Sequence, residues 1–248
     1  MIGDLPKYQI FLSYRVAYDQ QYVEMLYDIL TQKLGLTVWL DKKCLLNGMK
    51  WEEGFCKGLM DSTAFVCLIS GDAVNHPTNT RSSFTNLTHS SPCDNVLLEH
   101  QLALEFREQG LLQHIFPIFV GQKNALDPTK LDNFSFGNFA GFSDTVVVDA
   151  VLEKLKEHMD REALGSPLNP TRSVKQTMNE ITANQGGFWQ GDIQSSLDSI
   201  AQEIHKMCTS SPQTSQRCNN IDKDAELEAL RLEWEKEIEE INKKALRL

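Results

Sequence analysis

Residues 8–15, YQIFLSYR, decide the fold of this chain together with three segments that follow them. The later segments are TVWLD (residues 37–41), NGMKWEEGFCKGLMDS (residues 47–62) and AFVCLIS (residues 64–70). Short apolar runs rich in Val, Ile, Phe and Trp predict buried strands, and helical spacing of apolar residues predicts helices between them. Strands that alternate with helices in this way predict βαβ units and a parallel sheet.

The element boundaries follow from the same patterns. Tyr8–Leu12 is predicted to be a buried strand, and a helix over residues 19–33 is predicted to end at Gly35. The further elements predicted in this half are strands over residues 37–40, 64–69 and 115–120, and helices over residues 51–60 and 94–109, the last with Asp94 as its N-cap.

The remaining segments give weaker signals. Residues 76–92 are rich in Ser, Thr and Asn, which predicts an exposed, mobile loop that frames one edge of the site. Beyond Gly121 we expect helices over residues 145–161 and 195–207 and a short edge strand over residues 186–190.

We expect three parts along the chain. Residues 1–208 form one domain, with a core over residues 8–120 and an extended C-terminal part over residues 121–208. The polar composition of residues 209–222 predicts a linker, and residues 223–248 carry apolar residues at spacings of three and four. That pattern predicts either a short coiled coil or an amphipathic helix that packs on its own domain.

Charge and hydropathy limit the classes of partner. The formal net charge is −10, from 24 basic and 34 acidic residues, which disfavours a surface that binds nucleic-acid phosphates. We see neither a charged-then-apolar leader nor an apolar stretch of the roughly 20 residues that a bilayer crossing requires. We therefore expect a soluble cytoplasmic protein with no nucleic-acid or membrane partner.

The six cysteines do not suggest a metal site. They are scattered through the chain without a C-x-x-C pair or a histidine at ligand spacing. Reduced thiols and no bound metal are the expectation.

Polar side chains directly after the strands predict a ligand crevice, because ligands of open parallel sheets bind at the carboxyl ends of the strands. The candidates are an arginine for a diphosphate, aromatic surface for a base and carboxylates for ribose hydroxyls. They are Ser13, Tyr14, Arg15, Asp41, Trp51 and Glu52.

Glu52 could provide the chemistry of such a crevice. Cleavage of a ribose–nicotinamide bond develops positive charge on the sugar while the pyridinium leaves as a neutral molecule, so one carboxylate can suffice. Glu52 lies in the first turn of the predicted helix, beside its apolar face. The competing interpretation is a solvated glutamate favoured by the helix macrodipole.

The ordered segments resemble the Toll/interleukin-1 receptor (TIR) domain. That resemblance implies a flavodoxin-like α/β fold with a parallel sheet flanked by helices, followed here by the C-terminal helix. Residues 49–55, MKWEEGF, resemble the glutamate-bearing run of the NAD-cleaving TIR enzymes. On that alignment the catalytic glutamate is Glu52, and Glu53 is a reserve candidate.

Other positions of the NAD-cleaving enzymes can be compared one by one. Tyr14 and Arg15 match their nucleotide-contacting pair, Asp41 matches their aspartate after the second strand, and Glu99 is retained. The chain departs from their pattern at two positions, where their second arginine is Val16 and their helix-starting tryptophan is Asn95.

The leading functional hypothesis is an NAD glycohydrolase that releases nicotinamide and ADP-ribose or cyclic ADP-ribose in defence or cell-death signalling. NAD is then the substrate and no resident cofactor is expected. The resemblance also implies contacts with other TIR domains, including a homo-oligomer. The alternative is a non-enzymatic signalling adaptor that acts through TIR–TIR contacts. A flavodoxin-like response or nucleotide-binding protein ranks last, because the chain lacks a phosphate loop.

Overall fold

Strand β1 (Tyr8–Ser13) is the organising strand, since it has a parallel partner on each side. The computed structural model describes residues 7–45, 50–75, 79–92, 94–123, 131–132, 141–146, 172–190 and 194–210. The chain divides into two units, Met1–Cys208 and Thr209–Leu248. Residues 211–248, which include the predicted C-terminal helix, lie outside the described part.

Four further strands complete a parallel sheet with β1. They are β2 (Val38–Trp39), β3 (Ser62–Ser70), β4 (His114–Lys123) and β6 (Gly187–Gln190), and the order across the sheet is β2–β1–β3–β4–β6. A short antiparallel strand, β5 (Leu131–Asp132), pairs with the end of β4. This topology confirms the predicted parallel α/β fold.

The register shows where the chain reverses its direction across the sheet. Ile10 of β1 pairs with Val38 of β2 on one side and with Ala64 of β3 on the other. The chain therefore moves outward from β1 to β2 and then returns past β1 to β3. Such a switch point opens a crevice at the carboxyl ends of the strands.

Helices connect the strands. Helix α1 (Val16–Asp28) continues as a π-helical segment, Ile29–Lys33, and ends before Gly35, whose φ of 66° is the left-handed conformation that glycine adopts without strain. None of the described helices is long and apolar enough to cross a bilayer. The other helices are α2 (Asp41–Cys44), α3 (Trp51–Met60), α4 (Gly71–Val74), α5 (Asn95–Glu108), α6 (Val174–Thr182) and α7 (Gln194–Ser210).

Two apolar cores cover the two faces of the sheet, because side chains alternate along each strand. Phe11 and Phe65 point to the face that packs against α3, α5 and α6. Ile10 and Val66 point to the opposite face, which packs against α1 and α7. Burial on both faces explains why β1 and β3 read as continuous apolar runs in the sequence.

Arg172 joins α5 to α6 through three carboxylates. It contacts Glu105 and Glu108 of α5, and its Nε lies 2.8 Å from Glu180 Oε2 of α6. Arg172 and Glu105 are nearly buried, with side-chain exposures of 12% and 9%. The two helices are therefore fixed to each other by charge as well as by apolar contacts.

Most predicted elements are confirmed, with ends that move by a few residues. The strand predicted over residues 186–190 is the edge strand β6, and the helix predicted over residues 195–207 is α7. Helix α6 was not predicted. The helix predicted over residues 145–161 is not seen at Thr145 and Val146, and its remainder lies outside the described residues.

The prediction of an exposed loop over residues 76–92 is wrong in its middle. Phe84 and Leu87 are buried in the core, and the Phe84 N–H donates to the Val74 carbonyl over 2.8 Å. The Ser143 hydroxyl donates to the Leu87 carbonyl over 2.8 Å. Two apolar residues in a polar segment are enough to attach it to the core, because burying each large side chain contributes about 1.5–3 kcal/mol.

Candidate functional site

A crevice of about 320 Å³ opens at the carboxyl ends of the strands, at the switch point between β1 and β3. It contains four of the predicted binding residues: Tyr14, Arg15, Asp41 and Glu99. The remaining lining residues are Val16, Ala17, Trp39, Leu45, Phe55, Asn95 and Val96. The structure therefore brings together residues that are far apart in the sequence.

Tyr14 and Asp41 form one wall of the crevice. The Tyr14 hydroxyl donates to Asp41 Oδ1 over 2.9 Å, and the Lys42 N–H donates to the same oxygen over 2.7 Å. Burial and the neighbouring Asp41 carboxylate raise the pKa of Tyr14 above its usual range. Tyr14 therefore stays protonated and holds Asp41 in a fixed position at the start of α2.

Glu99 lines the crevice, and the buried Ser13 holds it from the end of β1. The Ser13 hydroxyl donates to Glu99 Oε2 over 2.6 Å, and this bond links the end of β1 to α5. Burial raises the pKa of Glu99 to about 8, the bond from Ser13 opposes that shift, and the Asp41 and Asp94 carboxylates add to it. Glu99 therefore carries a proton at neutral pH and can donate a hydrogen bond to a ligand.

Arg15 is already paired within the domain. Its guanidinium lies 2.8 Å and 2.9 Å from the two carboxylate oxygens of Asp94, and its Nε donates to the Ala73 carbonyl over 2.7 Å. It also lies over the Phe84 ring, 5.6 Å from the centroid. Sequence reasoning assigned this cation to a diphosphate, but here it mainly holds the N-cap of α5 against β1 and α4.

Trp39 adds an aromatic surface that the sequence did not single out. Its ring stacks on Phe11 with centroids 4.3 Å apart and lines the crevice beside Phe55. The ring lies directly on the backbone of α3, since a Cβ at Gly58 would come within 2.3 Å of it. The sequence did contain a signal for Trp39, because this residue lies near the end of a predicted strand, immediately before Leu40 and Asp41.

Glu52 lies in the first turn of α3, which begins at Trp51 as predicted. Phe55, three residues later on this helix, lines the crevice. The side chains of Trp51, Glu52 and Glu53 lie outside the described part of the structure, so their assigned roles stay predictions.

The two departures from the pattern of the NAD-cleaving enzymes both lie in the crevice. Val16 and Asn95 line it, and Val16 keeps 49% of its surface exposed. The rim therefore presents an apolar side chain and an amide at these positions.

Other titratable groups nearby are structural. His100 is buried against Phe65, with ring centroids 5.7 Å apart, and burial lowers its pKa to about 3. Cys67 is a free, buried thiol whose pKa burial raises. Within the described ranges, no group of His, Cys, Asp and Glu could hold a metal ion.

Comparisons with known proteins cover most of the chain. Among solved structures, the chain is similar to the TIR domains of the activated Roq1 resistosome directly recognizing the pathogen effector XopQ. The identity is 17%, the TM-score is 0.48, and the match covers 81% of this chain and 99% of that one. It is also similar to a metazoan TIR-STING receptor from C. gigas in complex with 2',3'-cGAMP, at 12% identity and a TM-score of 0.32, covering 69% of this chain and 44% of that one.

No curated protein gives a significant match to the chain. The family model described as TIR domain matches residues 10–157, which is more than half of the 248 residues. That span begins in β1, contains every predicted site residue and includes strands β1 to β4. The chain therefore belongs to the TIR domain family.

Proposed function

We propose that this TIR domain cleaves NAD to nicotinamide and either ADP-ribose or cyclic ADP-ribose. The observation that supports the proposal is the crevice at the switch point, where Tyr14 fixes Asp41 and Ser13 fixes Glu99. Two positioned acids beside the aromatic Trp39 suit a ribose that carries an aromatic base. Helix α3 carries Glu52 in its first turn, and Phe55, three residues later, lines this crevice.

The reaction requires few protein groups. The bond between ribose C1' and the nicotinamide nitrogen breaks, its electron pair leaves with nicotinamide, and positive charge develops on the sugar. Water then adds to C1' and loses one proton, which gives ADP-ribose. If a nucleophilic atom of the adenine adds in place of water, the product is cyclic ADP-ribose.

Each group in the crevice has a role in this proposal. The Glu52 carboxylate stabilises the developing sugar cation, which is the largest electrostatic requirement of the reaction. Asp41 accepts hydrogen bonds from ribose hydroxyls, and protonated Glu99 donates one. Trp39 and Phe55 provide an apolar wall for the pyridine ring. NAD is the substrate, and no resident cofactor or metal takes part.

The second candidate function is a non-enzymatic adaptor that signals through contacts with other TIR domains. Arg15 favours this interpretation, because its charge is paired with Asp94 and is not available to a diphosphate.

We also propose that the protein assembles with other copies of itself in the cytoplasm, under either function. In the enzymatic case assembly would complete the crevice. In the adaptor case assembly would be the signal itself.

Incubation of the purified full-length protein with NAD distinguishes the two functions. Nicotinamide and ADP-ribose are followed by chromatography. The enzyme is expected to release nicotinamide in an amount equal to the sum of ADP-ribose and cyclic ADP-ribose. No release at any protein concentration, in a sample that forms oligomers, would favour the adaptor.

A further inference from the structure

A second cavity lies beside the crevice, across the ion pair of Arg15 and Asp94. Its volume is about 730 Å³, more than twice that of the crevice, and residues 79–81, 86–88 and 90–92 form its sides. Asp94 lines this cavity, whereas its partner Arg15 and its neighbour Asn95 line the crevice. The two cavities therefore share the amino end of α5.

The second cavity is lined by hydrogen-bond donors. Arg81 is exposed, and no carboxylate in the described part of the chain pairs with it. A guanidinium surrounded by amides and hydroxyls is a donor set that suits phosphate oxygens. Asp94, the one acid among the described lining residues, is neutralised by Arg15. The donors are Asn79, Arg81, Asn86, Thr88, Ser90 and Ser91.

The cavity is held in shape before any ligand arrives. The Asn86 amide donates to the Thr80 carbonyl over 2.9 Å, and the Thr88 N–H donates to the Ser91 hydroxyl over 2.9 Å. Leu87, between these bonds, is buried in the core with 3% of its surface exposed. A preformed cavity loses less entropy on binding than a loop that must be ordered.

The crevice has the opposite character. Asp41 and Glu99 are its acids, and Arg15, the one basic residue among its described lining residues, is already paired. This set suits the positively charged nicotinamide riboside end of NAD and gives no unpaired cation for a diphosphate. Arg81 provides, in the neighbouring cavity, the unpaired cation that the described lining residues of the crevice do not provide.

We propose that the second cavity binds the phosphate-bearing adenosine half of the dinucleotide whose nicotinamide riboside half lies in the crevice. The inference rests on the proposed function for its substrate. Arg81 is then a binding residue for the diphosphate, and the Arg15–Asp94 pair lies between the two halves of the ligand.

The test measures the binding affinity for each half of the dinucleotide separately. Isothermal titration calorimetry on the full chain uses ADP as the probe for one half and nicotinamide riboside as the probe for the other. Arg81→Gln should weaken ADP binding about ten- to hundredfold, the size expected for one charge-assisted contact, and leave nicotinamide riboside unchanged. It should raise KM for NAD by a similar factor with kcat within about twofold. Arg81→Lys should restore part of the affinity.

Lys33→Gln is the matched control, because Lys33 is an exposed cation that lines neither cavity and pairs only loosely with Asp198, at 3.4 Å. It removes the same charge and should change none of these values. ADP should also inhibit NAD cleavage competitively.

Three results separate this inference from the proposed function. If Arg81→Gln cleaves NAD with an unchanged KM and binds ADP with unchanged affinity, the nucleotide-binding role of the second cavity is overturned. The proposed NAD cleavage is then still supported. If ADP binding depends on Arg81 but no NAD is cleaved, the second cavity is supported as a nucleotide-binding site. The proposed NAD-cleaving activity is then overturned. Noncompetitive inhibition by ADP would assign the cavity to a free nucleotide and overturn its role in holding one end of NAD.

Discussion

Ser13 and Tyr14 are consecutive residues, yet they hold acids from different parts of the fold. Ser13 binds Glu99 of α5, and Tyr14 binds Asp41 at the start of α2. Side chains that alternate along an extended segment make this possible. The end of β1 therefore positions both described acids of the crevice.

Glu52 should be essential for nicotinamide release if the proposed function is correct. Glu52→Gln keeps the size of the side chain and removes the charge that would stabilise the sugar cation. Loss of one such contact costs about 10²–10³ in rate, and loss of a sole catalytic carboxylate should cost at least that much. Chromatographic measurement of nicotinamide gives the rate.

Glu53→Gln is the matched control for Glu52→Gln, since it makes the same change one residue along α3. It should keep most of the activity. Equal activity in Glu52→Gln and the parent would refute the assignment, whereas loss in Glu53→Gln alone would move the catalytic role to Glu53.

Glu99 should make the fold less stable as the pH rises. Its pKa of about 8 in the folded protein exceeds the value of about 4.3 in an unfolded chain. Between these values the folded state holds one more proton, so the free energy of unfolding falls with pH and levels off above pH 8. We expect a loss of roughly 2–4 kcal/mol between pH 5 and 8.

Urea denaturation across this pH range checks the prediction. Glu99→Gln cannot titrate and should flatten most of the decline above pH 6. Asp19, whose pKa burial raises to about 6, contributes in the same direction at lower pH. Glu203→Gln on the exposed face of α7 should leave the decline unchanged. An identical pH dependence in Glu99→Gln and the parent would contradict the prediction.

The site residues show what a sequence can predict at this scale. Tyr14 and Asp41 were expected to lie together because each directly follows a predicted strand of a parallel sheet, and their contact crosses only 27 residues. The pairing of Arg15 with Asp94 spans 79 residues and depends on how α5 lies against β1. No sequence pattern near Arg15 could reveal that its charge is already paired with Asp94.

Gly58 sets how closely α3 packs on β2. In an exposed helix, Gly→Ala stabilises by about 1 kcal/mol, but here the new methyl would come within 2.3 Å of the Trp39 ring. Phe11 stacks on that ring with centroids 4.3 Å apart, so the ring cannot move away from the new methyl group. We expect Gly58→Ala to lower the free energy of unfolding by about 1–3 kcal/mol and to disturb the crevice wall.

Thermal denaturation and near-ultraviolet circular dichroism measure both effects of Gly58→Ala. Gly141→Ala is the control, because its Cβ would meet only Thr85 Cγ2 at 3.8 Å, an ordinary contact. It should change stability by less than about 0.5 kcal/mol. A Gly58→Ala protein more stable than the parent would show that helix propensity outweighs the clash.

Arg172 should contribute more to stability than an ordinary surface arginine. Arg172→Gln leaves Glu105 nearly buried without its partner, which we expect to cost about 3 kcal/mol. Glu180→Gln removes an exposed partner of the same arginine and should cost less than about 1 kcal/mol. Urea denaturation compares the two, and equal losses would argue against the buried pair as the main contribution.

The elements differ in how well the sequence predicted them. Long apolar runs identified β1, β3 and β4, and Gly35 marked the end of the first helix because only glycine adopts its φ without strain. Helix α6 was missed although its capping box, Ser173 with Gln176, was present in the sequence. Elements of two to four residues, such as β5 and α2, depend on tertiary contacts and give no periodic signal.

Assembly should control activity at the scale of the whole molecule. The apolar seam predicted over residues 223–248 would raise the local concentration of neighbouring domains into the millimolar range. Replacing Leu230, Trp234 and Ile241 with Ser should convert an oligomer into a monomer by light scattering and reduce specific activity most in dilute samples. A parent protein that is monomeric at tens of micromolar would contradict the prediction.

A matched variant with Ser at Glu228, Glu233 and Glu240 changes three polar positions of the same segment and should keep the oligomer. If the variant with Ser at Leu230, Trp234 and Ile241 keeps full specific activity at every dilution, the segment packs on its own domain. That is the second of the two interpretations that the sequence pattern allows.

The all-parallel order of the sheet has a consequence during synthesis. Strand β4 pairs with β3 on one edge, but its other edge lacks β6 until the chain reaches Gly187, whereas β4 ends at Lys123. The ribosome must add 187 − 123 = 64 residues in that interval, which takes about 3–13 s at usual elongation rates. Throughout that time Phe119 and Val120 border an open edge, so the nascent chain should depend on chaperones more than a hairpin-built domain of equal size.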